Sequence, residues 1–461
     1  MIRSAPTLLP LVAMIWLAAC SGSDNSTPSS TTNSPPTTAQ EPTKPPPTTQ
    51  PPNMAPPSTQ PPGSQPPASA PPGAFAQGTG FNAIVRTIVM AQDGTHDVYV
   101  GGDFTTYNGT TVNHIIRLRP NGTIAQTFGQ GFDEVVTALA LATDGSNALY
   151  AGGPFTQFNN QPAPQLIRLT SSGVRDATFQ PGTLGFVLEM LGVTEDGSRD
   201  VYAAGNISEP VPGAPVSAFR GLVTRLNPDG TPDQTFSIGT GFPGGADAFD
   251  APVAAISVPP GSGKLYAGGS LFTYNGQTVN SLVRLNPNGT LDSTFMTGTG
   301  VPGVIDVPIV EVIARAGDGS RDLYAGGRIG DYNGTPVTLG SIRVHETGAL
   351  DTTFGPTEPM ITFTIAPAED GSGDVFVFGL GTKTNDRPAR LLRLNREGGL
   401  ISTFHEPALD ANFVLTIVPV LDGTRDLYIG GTFTTYNGVP VNHIARIHAD
   451  GSLASVVGPA P

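Results

Sequence analysis

The most regular charged pattern in this sequence is an arginine followed, eight residues later, by an aspartate. The arginine occurs seven times, and the aspartate follows it four times. Seven arginines on one ring would suit an anion, whereas an arginine facing an aspartate across a tight hairpin forms an ion pair worth about 0.2–1 kcal/mol. We favour the ion pair and predict that the arginines are structural. They are Arg117, Arg168, Arg225, Arg284, Arg343, Arg393 and Arg446, and the aspartates are Asp176, Asp233, Asp292 and Asp351.

Acidic D-G-S-R-D turns, at Asp196–Asp200 and Asp318–Asp322, resemble the first half of a calcium-binding loop. A complete EF-hand loop continues its oxygen ligands to a glutamate at the twelfth position. Here a tyrosine-containing strand pattern follows each turn, so we predict hairpin turns and no metal site. The six histidines form no cluster with metal-ligand spacing. The acidic composition leaves a bound cation open as an alternative.

Three insertions lengthen the otherwise regular spacing and supply the candidate ligand-binding residues. They span Asn206 to Phe219, Ser237 to Pro252 and Met296 to Pro308. In an up-and-down sheet these connections emerge on one face, and loops on a rigid scaffold often carry function. Their acids and aromatic rings suit a cation or a sugar, with neutral loop drift as the alternative. The candidates are Glu209, Phe242, Asp247, Phe249, Asp250 and Asp306.

Catalytic motifs are absent from the sequence. Neither G-x-S-x-G nor H-E-x-x-H occurs, and no paired carboxylates stand out from ordinary turn acids. The only cysteine, Cys20, lies near the N-terminus. We therefore predict no catalytic residues, no enzyme activity and no cofactor.

The N-terminal residues are typical of a bacterial lipoprotein. Residues 1–19 combine Arg3, a short apolar core and the lipobox-like sequence L-A-A-C that ends at Cys20. The apolar run is shorter than the roughly 20 residues that span a membrane. We predict a signal peptide over 1–19 and a covalent lipid at Cys20, which would attach the protein to the membrane. Residues 20–73 continue as a Pro/Thr/Ser-rich linker, a composition that favours disorder.

Residues 74–461 repeat one pattern seven times, and this repeat must position the residues above. The pattern is a D-G turn, a strand around a tyrosine, a Gly-Gly pair, an F-T-x-Y-N-G turn, an R-L-N strand and a final T-F, and single repeats depart from it. The turns mark antiparallel hairpins, and the second glycine of each pair marks a bulge or a close backbone approach. Four short strands cannot bury both faces alone, so the repeats must stack. We predict an all-β fold, a seven-bladed β-propeller of four-stranded antiparallel blades.

The two ends of this region complement each other. Residues 74–80 resemble residues 235–241, which end the third repeat, whereas the seventh repeat has Val456-Val457 in place of its T-F. We predict that the N-terminal segment completes or covers the last repeat and so removes an exposed edge.

The charge of the chain excludes one class of partner. The formal net charge is −14 at pH 7, and the repeat region has only two lysines, Lys264 and Lys383. Without a basic stripe to neutralise phosphates, nucleic acid is not an expected partner. We expect a monomer.

Residues 422–453, with the sequence D-G-T-R-D-L-Y-I-G-G-T-F-T-T-Y-N-G-V-P-V-N-H-I-A-R-I-H-A-D-G-S-L, resemble the delta-60 repeat family of bacterial surface and secreted proteins. The resemblance covers nearly the whole repeat region and implies a β-propeller-like array. It supplies no catalytic residues.

These observations together lead us to expect an exported, lipid-anchored module of the cell envelope, on the outer membrane or cell surface if the organism is Gram-negative. It would bind a glycan or a protein, as an adhesion or interaction module. The alternatives are a propeller enzyme that acts on a surface glycan and a purely structural envelope scaffold.

The anchor is tested by Cys20→Ser. We expect wild-type protein to enter the detergent phase of a detergent-partitioning experiment and the variant to stay in the aqueous phase, because the variant has no site for the lipid. If both fractionate identically with the membrane, the anchor assignment is wrong.

Overall fold

The computed structural model describes residue 75 and residues 78–210, 217–243, 253–296, 298–301, 310–382, 388–410 and 413–454. In these ranges the chain contains strands and turns and no helix, so the predicted all-β class is confirmed. Accordingly, no helix in these ranges has the length and apolar character needed to span a membrane.

The strands are short and regularly spaced. The first two repeats contain β1 (Val85–Met90), β2 (Val98–Gly102), β3 (Thr106–Tyr107), β4 (Thr110–Thr111), β5 (Ile115–Leu118), β6 (Ile124–Gln126), β7 (Ala138–Leu141), β8 (Leu149–Gly152), β9 (Gln157–Phe158), β10 (Gln161–Pro162) and β11 (Leu166–Leu169). The third and fourth contain β12 (Val187–Val193), β13 (Val201–Pro210), β14 (Ser217–Leu226), β15 (Phe242–Pro243), β16 (Ala255–Ser257), β17 (Leu265–Gly268), β18 (Thr273–Tyr274), β19 (Gln277–Thr278) and β20 (Leu282–Leu285). The last three contain β21 (Val310–Arg315), β22 (Leu323–Gly327), β23 (Asp331–Tyr332), β24 (Thr335–Pro336), β25 (Ser341–Val344), β26 (Met360–Pro367), β27 (Val375–Gly381), β28 (Ala389–Leu394), β29 (Val414–Pro419), β30 (Leu427–Gly431), β31 (Thr435–Tyr436), β32 (Val439–Pro440) and β33 (Ile444–Ile447).

Each repeat forms one antiparallel sheet. The sheet orders are β1-β2-β5-β6, β7-β8-β11, β12-β13-β14-β15, β16-β17-β20, β21-β22-β25, β26-β27-β28 and β29-β30-β33. In five repeats the F-T-x-Y-N-G segment adds a separate two-stranded hairpin. The N-G turn requires positive φ at both central residues, as at Asn108 (48°) and Gly109 (76°), which asparagine and glycine tolerate.

The expectation of four strands in every sheet needs correction. In the second to seventh repeats the segment after the last turn makes only one bridge to the third strand, for example Leu285 to Leu291. The chain then turns away, because the Asp292 carboxylate accepts hydrogen bonds from the backbone and the hydroxyl of Thr294 (3.0 and 2.6 Å). The first of the three insertions is also partly regular, because β13 continues to Pro210 and β14 starts at Ser217.

Glycines allow neighbouring sheets to approach each other closely. A Cβ atom on Gly268 would lie 2.6 Å from Val310 Cγ1 of the next sheet. At the second glycine of the pair, a Cβ on Gly102 would lie 2.2 Å from the Ile84 carbonyl oxygen, beside a bulge in β1. The predicted close backbone approach is therefore confirmed there.

The first strand of every sheet is an edge strand that contacts its counterparts in the neighbouring sheets. β1 contacts β7, β7 contacts β12, and the contacts continue through β16, β21, β26 and β29. β29 also contacts β1. Fully buried residues such as Val85, Val253 and Val310 fill the spaces between these strands.

The N-terminal segment gives the seventh repeat a contact that the other repeats make internally. In the second repeat Tyr150 packs edge-on against Phe179 of the final T-F, with ring centroids 5.2 Å apart. In the seventh, Tyr428 packs in the same way against Phe75, at 5.5 Å. Phe75 is 0% exposed. The prediction that this segment covers the last repeat is confirmed.

The N-terminal segment also makes with the seventh repeat a hydrogen bond that the second repeat makes with the first. The Phe132 amide donates to the Asn113 carbonyl (3.1 Å), and the Phe81 amide donates likewise to Asn442 (3.2 Å). The Asn442 side chain donates to the Thr79 carbonyl (2.6 Å), so both backbone and side chains join the chain ends.

Phe75→Ala should lower the free energy of unfolding by about 3–5 kcal/mol, because it empties a fully buried aromatic site. Urea unfolding of the full-length protein in detergent would measure this. Phe272→Ala, at a phenylalanine that is 39% exposed, is the matched control and should cost much less. An unchanged midpoint for Phe75→Ala would contradict the covering role of the segment.

Candidate functional site

Each repeat buries one arginine among carboxylates and an aromatic ring. Arg343, whose side chain is 3% exposed, donates to Asp318 Oδ2 (2.6 Å) and Asp322 Oδ2 (3.0 Å). Its Nε lies 3.4 Å from Asp351 Oδ2, and its guanidinium carbon lies 5.6 Å from the centre of the Tyr324 ring. Burial of a charge is tolerated only with such partners.

The same arrangement occurs around all seven arginines. Each guanidinium carbon lies 5.1–5.8 Å from the ring at the centre of the second strand. The four pairs with the aspartate eight residues later are formed, at 2.6–3.4 Å. The acids of the D-G turns are further partners. They include Asp93, Asp97, Asp144, Asp200, Asp370, Asp374, Asp422 and Asp426.

This arrangement accounts for the turns that resemble half a calcium loop. Asp322, His345 and Asp351 place ligand atoms within 4.8 Å of one another, a grouping that the sequence did not indicate. The Arg343 guanidinium already donates to Asp322 and lies beside Asp351, so a positive charge occupies the position that a cation would take. The seven arginines are correspondingly unsuited to bind an anion, because each has a carboxylate partner.

Several arginines also connect neighbouring sheets. Arg225 Nη1 donates to the Pro287 carbonyl of the next repeat (2.8 Å), and Arg284 Nη1 donates to the Glu346 carbonyl (2.7 Å). Arg446 of the seventh repeat donates to the Pro120 carbonyl of the first (3.3 Å).

The structure separates the predicted ligand-binding residues. Phe242 is 0% exposed and packs against Tyr274, with ring centroids 4.8 Å apart. Its assignment to a ligand site is corrected, because Tyr274 and the surrounding hydrophobic core already occupy the contacts of this ring. Glu209 lies on β13, paired with Ala218 of β14. Asp247, Phe249, Asp250 and Asp306 lie outside the described residues.

A different set of residues breaks the apolar pattern of the first strands. Near the start of each first strand, within it or just before it, a fully buried residue is followed by a half-buried one. Five of these half-buried residues lie at a register shift in the strand, and bulges commonly redirect side chains near functional sites. We call them the rim positions. They are Arg86, Thr137, Glu189, Ala254, Glu311, Phe363 and Leu415.

A second set, the partner positions, directly follows Gly102 or the equivalent glycine of each repeat and lies beside the rim positions. It comprises Asp103, Pro154, Asn206, Ser270, Arg328, Leu380 and Thr432. In the first repeat the Arg86 guanidinium donates to both carboxylate oxygens of Asp103, through Nη2 at 3.0 Å and through Nε. This bidentate pair fixes the orientation of both side chains.

In the third repeat an amide takes the place of the ion pair. Asn206 Nδ2 donates to Glu189 Oε2 (3.1 Å) and to the Val253 carbonyl of the next sheet (3.1 Å). Burial raises the pKa of the Glu189 carboxyl, and the hydrogen bond from Asn206 and the charge of Arg86 offset this in part.

The fifth repeat places an acid and an arginine together again. Burial raises the pKa of the Glu311 carboxyl, which the charge of Arg328 lowers in part. Sequence reasoning missed the rim positions because it concentrated on residues that recur. The signal was present: a charged residue directly follows the first apolar residue in V-R-T-I, L-E-M-L and V-E-V-I.

With the geometry described, the chain can be compared with known proteins. The sequence pattern of the family described as "Domain of unknown function (DUF5122) beta-propeller" matches residues 97–128, 147–179, 217–236, 261–295 and 426–453. The chain carries propeller-like repeats. No curated protein matches the chain in sequence.

Solved structures similar to this chain have low sequence identity to it. The GH74 enzyme of Niastella koreensis is 14% identical over 84% of this chain and 62% of its own, with a TM-score of 0.42. Sqt1 from Chaetomium thermophilum is 12% identical over 84% and 86%, with a TM-score of 0.43. The GH74 xyloglucanase from Xanthomonas campestris is 12% identical over 84% and 54%, with a TM-score of 0.46. The chain thus spans less than two thirds of either GH74 enzyme, and these likenesses do not bear on activity.

The arginine clusters predict acid sensitivity. Burial alone would raise the pKa of the Asp318 carboxyl, but hydrogen bonds from Ser320 and Arg343 and the charge of Arg343 lower it to about 2. Because this pKa lies below the ordinary value of 3.8, ionised Asp318 stabilises the fold above about pH 4. The contribution is lost as the pH falls towards 2.

Asp318→Asn should therefore lower the free energy of unfolding at pH 7 by about 2 kcal/mol and flatten its decline between pH 4 and pH 2. Urea unfolding at a series of pH values would measure both effects. Asp331→Asn, which changes a carboxylate that accepts a hydrogen bond from the Gly334 amide, is the control. An equally steep decline in Asp318→Asn and wild type would contradict the assignment.

Proposed function

We propose that the seven sheets are the blades of one closed β-propeller. The succession of first-strand contacts that returns from β29 to β1 supports closure. The packing of Phe75 on Tyr428 and the hydrogen bond from Arg446 to Pro120 support it as well. In such a ring the N-terminal segment replaces the missing T-F of the seventh blade.

On this scaffold we propose an exported, lipid-anchored module that binds a glycan or a protein at the cell surface. Cys20 would carry the lipid, and the Pro-rich linker over residues 20–73 would hold the propeller away from the membrane. We place the protein in the bacterial cell envelope, as a monomer without a resident cofactor. The delta-60 resemblance is consistent with this location.

One observation supports binding above all others: three of the seven rim positions carry charged side chains. A first strand packed only for stability would carry apolar residues there, as Leu415 does in the seventh repeat. Instead Arg86, Glu189 and Glu311 are charged and half-buried. Burial of charged groups has a cost that function commonly explains.

In the proposed propeller the rim would lie on a single side. The rim positions lie near the start of the first strands, and the partner positions lie in the second half of the second strands or just after them. The connections between blades and those between second and third strands meet at this side. The insertions after Asn206, Ser237 and Met296 are connections of these two types, so we assign the ligand-binding side to the rim.

The enzyme alternative is supported by one specific observation. Glu189 and Glu311 are half-buried, and burial raises the pKa of both carboxyls. A raised pKa is what a carboxylic acid needs to donate a proton near neutral pH, as in glycoside hydrolysis. A scaffold without ligand is the remaining alternative.

Binding and turnover assays on the full-length protein in detergent would distinguish these functions. We expect binding to immobilised envelope glycans or envelope proteins without release of reducing sugar. Release of reducing sugar that disappears in both Glu189→Gln and Glu311→Gln would instead support the enzyme. If the protein shows neither binding nor turnover, the result would favour the structural scaffold and contradict the proposal.

A further inference from the structure

Most polar partner positions are satisfied within the protein. Asp103 accepts the bidentate pair from Arg86, and Asn206 bonds both Glu189 and the backbone of Val253. Thr432 donates from its hydroxyl to the Phe413 carbonyl (3.3 Å). Such pairing is the rule for buried polar groups.

Two adjacent repeats depart from this rule. Ser270, the partner position of the fourth repeat, is 0% exposed, and its hydroxyl has no hydrogen-bond partner among the described residues. In the fifth repeat the buried Nε of Arg328 has none either. An unpaired buried donor costs about 1–3 kcal/mol. Arg168 and Arg225 also have an unpaired Nε, but aspartates pair with the rest of each guanidinium. Ser270 has no such partner in the part of the chain that the structure describes, so its buried hydroxyl beside Arg328 requires a different explanation.

The two unpaired groups lie around one short stretch of β21. Gly268 faces Val310 so closely that a Cβ would lie 2.6 Å from its Cγ1, and Ser270 follows two residues later. Val310 pairs with Gly327, which Arg328 follows, and Glu311 comes directly after Val310. Ser270, Arg328 and Glu311 therefore surround the start of this strand.

The third repeat shows what a side chain at this place can reach. Asn206 contacts the amide and the carbonyl of Val253, the first buried residue of the next sheet. Val310 is the corresponding residue beside Ser270. Ser270 holds the position in the fourth repeat that Asn206 holds in the third, but its shorter side chain makes no hydrogen bond to the described residues there.

The charges and rings of this region restrict the class of ligand. Arg328 and Glu311 balance each other, so neither an anion nor a cation is favoured. One hydroxyl, one unpaired guanidinium N–H and one carboxyl together need a ligand that both donates and accepts hydrogen bonds. Phe363, the rim residue of the adjacent sixth repeat, has a half-buried ring that packs edge-on against Phe413, with ring centroids 5.4 Å apart, and the exposed part of this ring suits an apolar face.

We propose that Ser270, Glu311 and Arg328 form a binding site for a neutral polyhydroxylated ligand, a saccharide. The sugar hydroxyls satisfy Ser270, Arg328 and Glu311, and a ring face packs towards Phe363. The site deepens the proposed surface-binding function and rests on it.

Neutral hexasaccharides are suitable probes: maltohexaose, cellohexaose, xylohexaose and mannohexaose, with hexagalacturonate and a chitosan hexamer as charged comparators. We expect the full-length protein in detergent to bind at least one neutral probe more tightly than either charged one, in calorimetric titration. Ser270→Ala, Arg328→Gln and Glu311→Gln should each weaken binding about tenfold or more, the effect of about 1.4 kcal/mol.

Matched controls come from the opposite ends of the same strands. Ser262 lies before β17 and Arg321 before β22, so Ser262→Ala and Arg321→Gln make the same changes away from the rim. These controls should bind like wild type. A second readout concerns the protein without ligand: Ser270→Ala should keep or raise the unfolding midpoint, because it removes a hydroxyl that has no partner.

Two outcomes would overturn the site. If the three rim variants bind a neutral hexasaccharide as wild type does, the ligand binds elsewhere and only the surface-binding function stands. If the charged probes bind more tightly than every neutral one, the ligand class is wrong. Failure to bind any glycan or any envelope protein would instead reject the proposed function itself.

Discussion

The buried arginine of each repeat is the interaction on which the rest of the structure depends. Removal of a guanidinium from water costs several kcal/mol unless carboxylates and hydrogen bonds replace the water. For Arg343 those partners come from the turn between the first two strands, from the last turn and from the Tyr324 ring. All of them must be in place at once, so one side chain fixes the register of both hairpins. Where the arginine also reaches a carbonyl of the next sheet, as Arg284 does, it fixes the neighbour too.

This arrangement divides each sheet into two ends with different tasks. At the turn end the acids are engaged by arginine, as Asp318 and Asp322 are by Arg343, which leaves them little capacity to bind a ligand. At the rim end no such recurring cluster exists among the described residues. There Arg86, Glu189 and Glu311 occupy one backbone position with different chemistry. The turn end, whose clusters recur in every repeat, provides stability, whereas the rim end, whose residues differ between repeats, is free to bind a ligand.

The turn end of each sheet could be predicted from the sequence better than the rim end. The pairs between Arg284 and Asp292 and their equivalents could be predicted because the partners are separated by one tight turn. The pair between Arg343 and Asp318 spans 25 residues and depends on how the first strand aligns, which local pattern does not reveal. The fourth strands were overpredicted because the alternation of Leu291 and Asp292 suits a strand, while the turn that Asp292 makes with Thr294 ends it. The rim was missed because comparison of repeats emphasises what recurs, and its residues differ.

The rim shows how one backbone position accepts several solutions to the same physical problem. A side chain beside a bulge is too buried for water to satisfy it and too close to the edge to be packed like a core residue. The first repeat solves this with an ion pair and the third with an amide that also joins the next sheet. The fourth and fifth repeats leave Ser270 and Arg328 with an unpaired donor each, a cost of about 1–3 kcal/mol apiece. The seven arginine clusters add to the free energy of unfolding, and this stabilisation offsets the cost of the unpaired donors. The unpaired Nε atoms of Arg168 and Arg225 belong to guanidinium groups that aspartates otherwise hold. The Ser270 hydroxyl has no partner of any kind among the described residues, and the third repeat shows that the same position can be satisfied, which is why we assign an external partner to it.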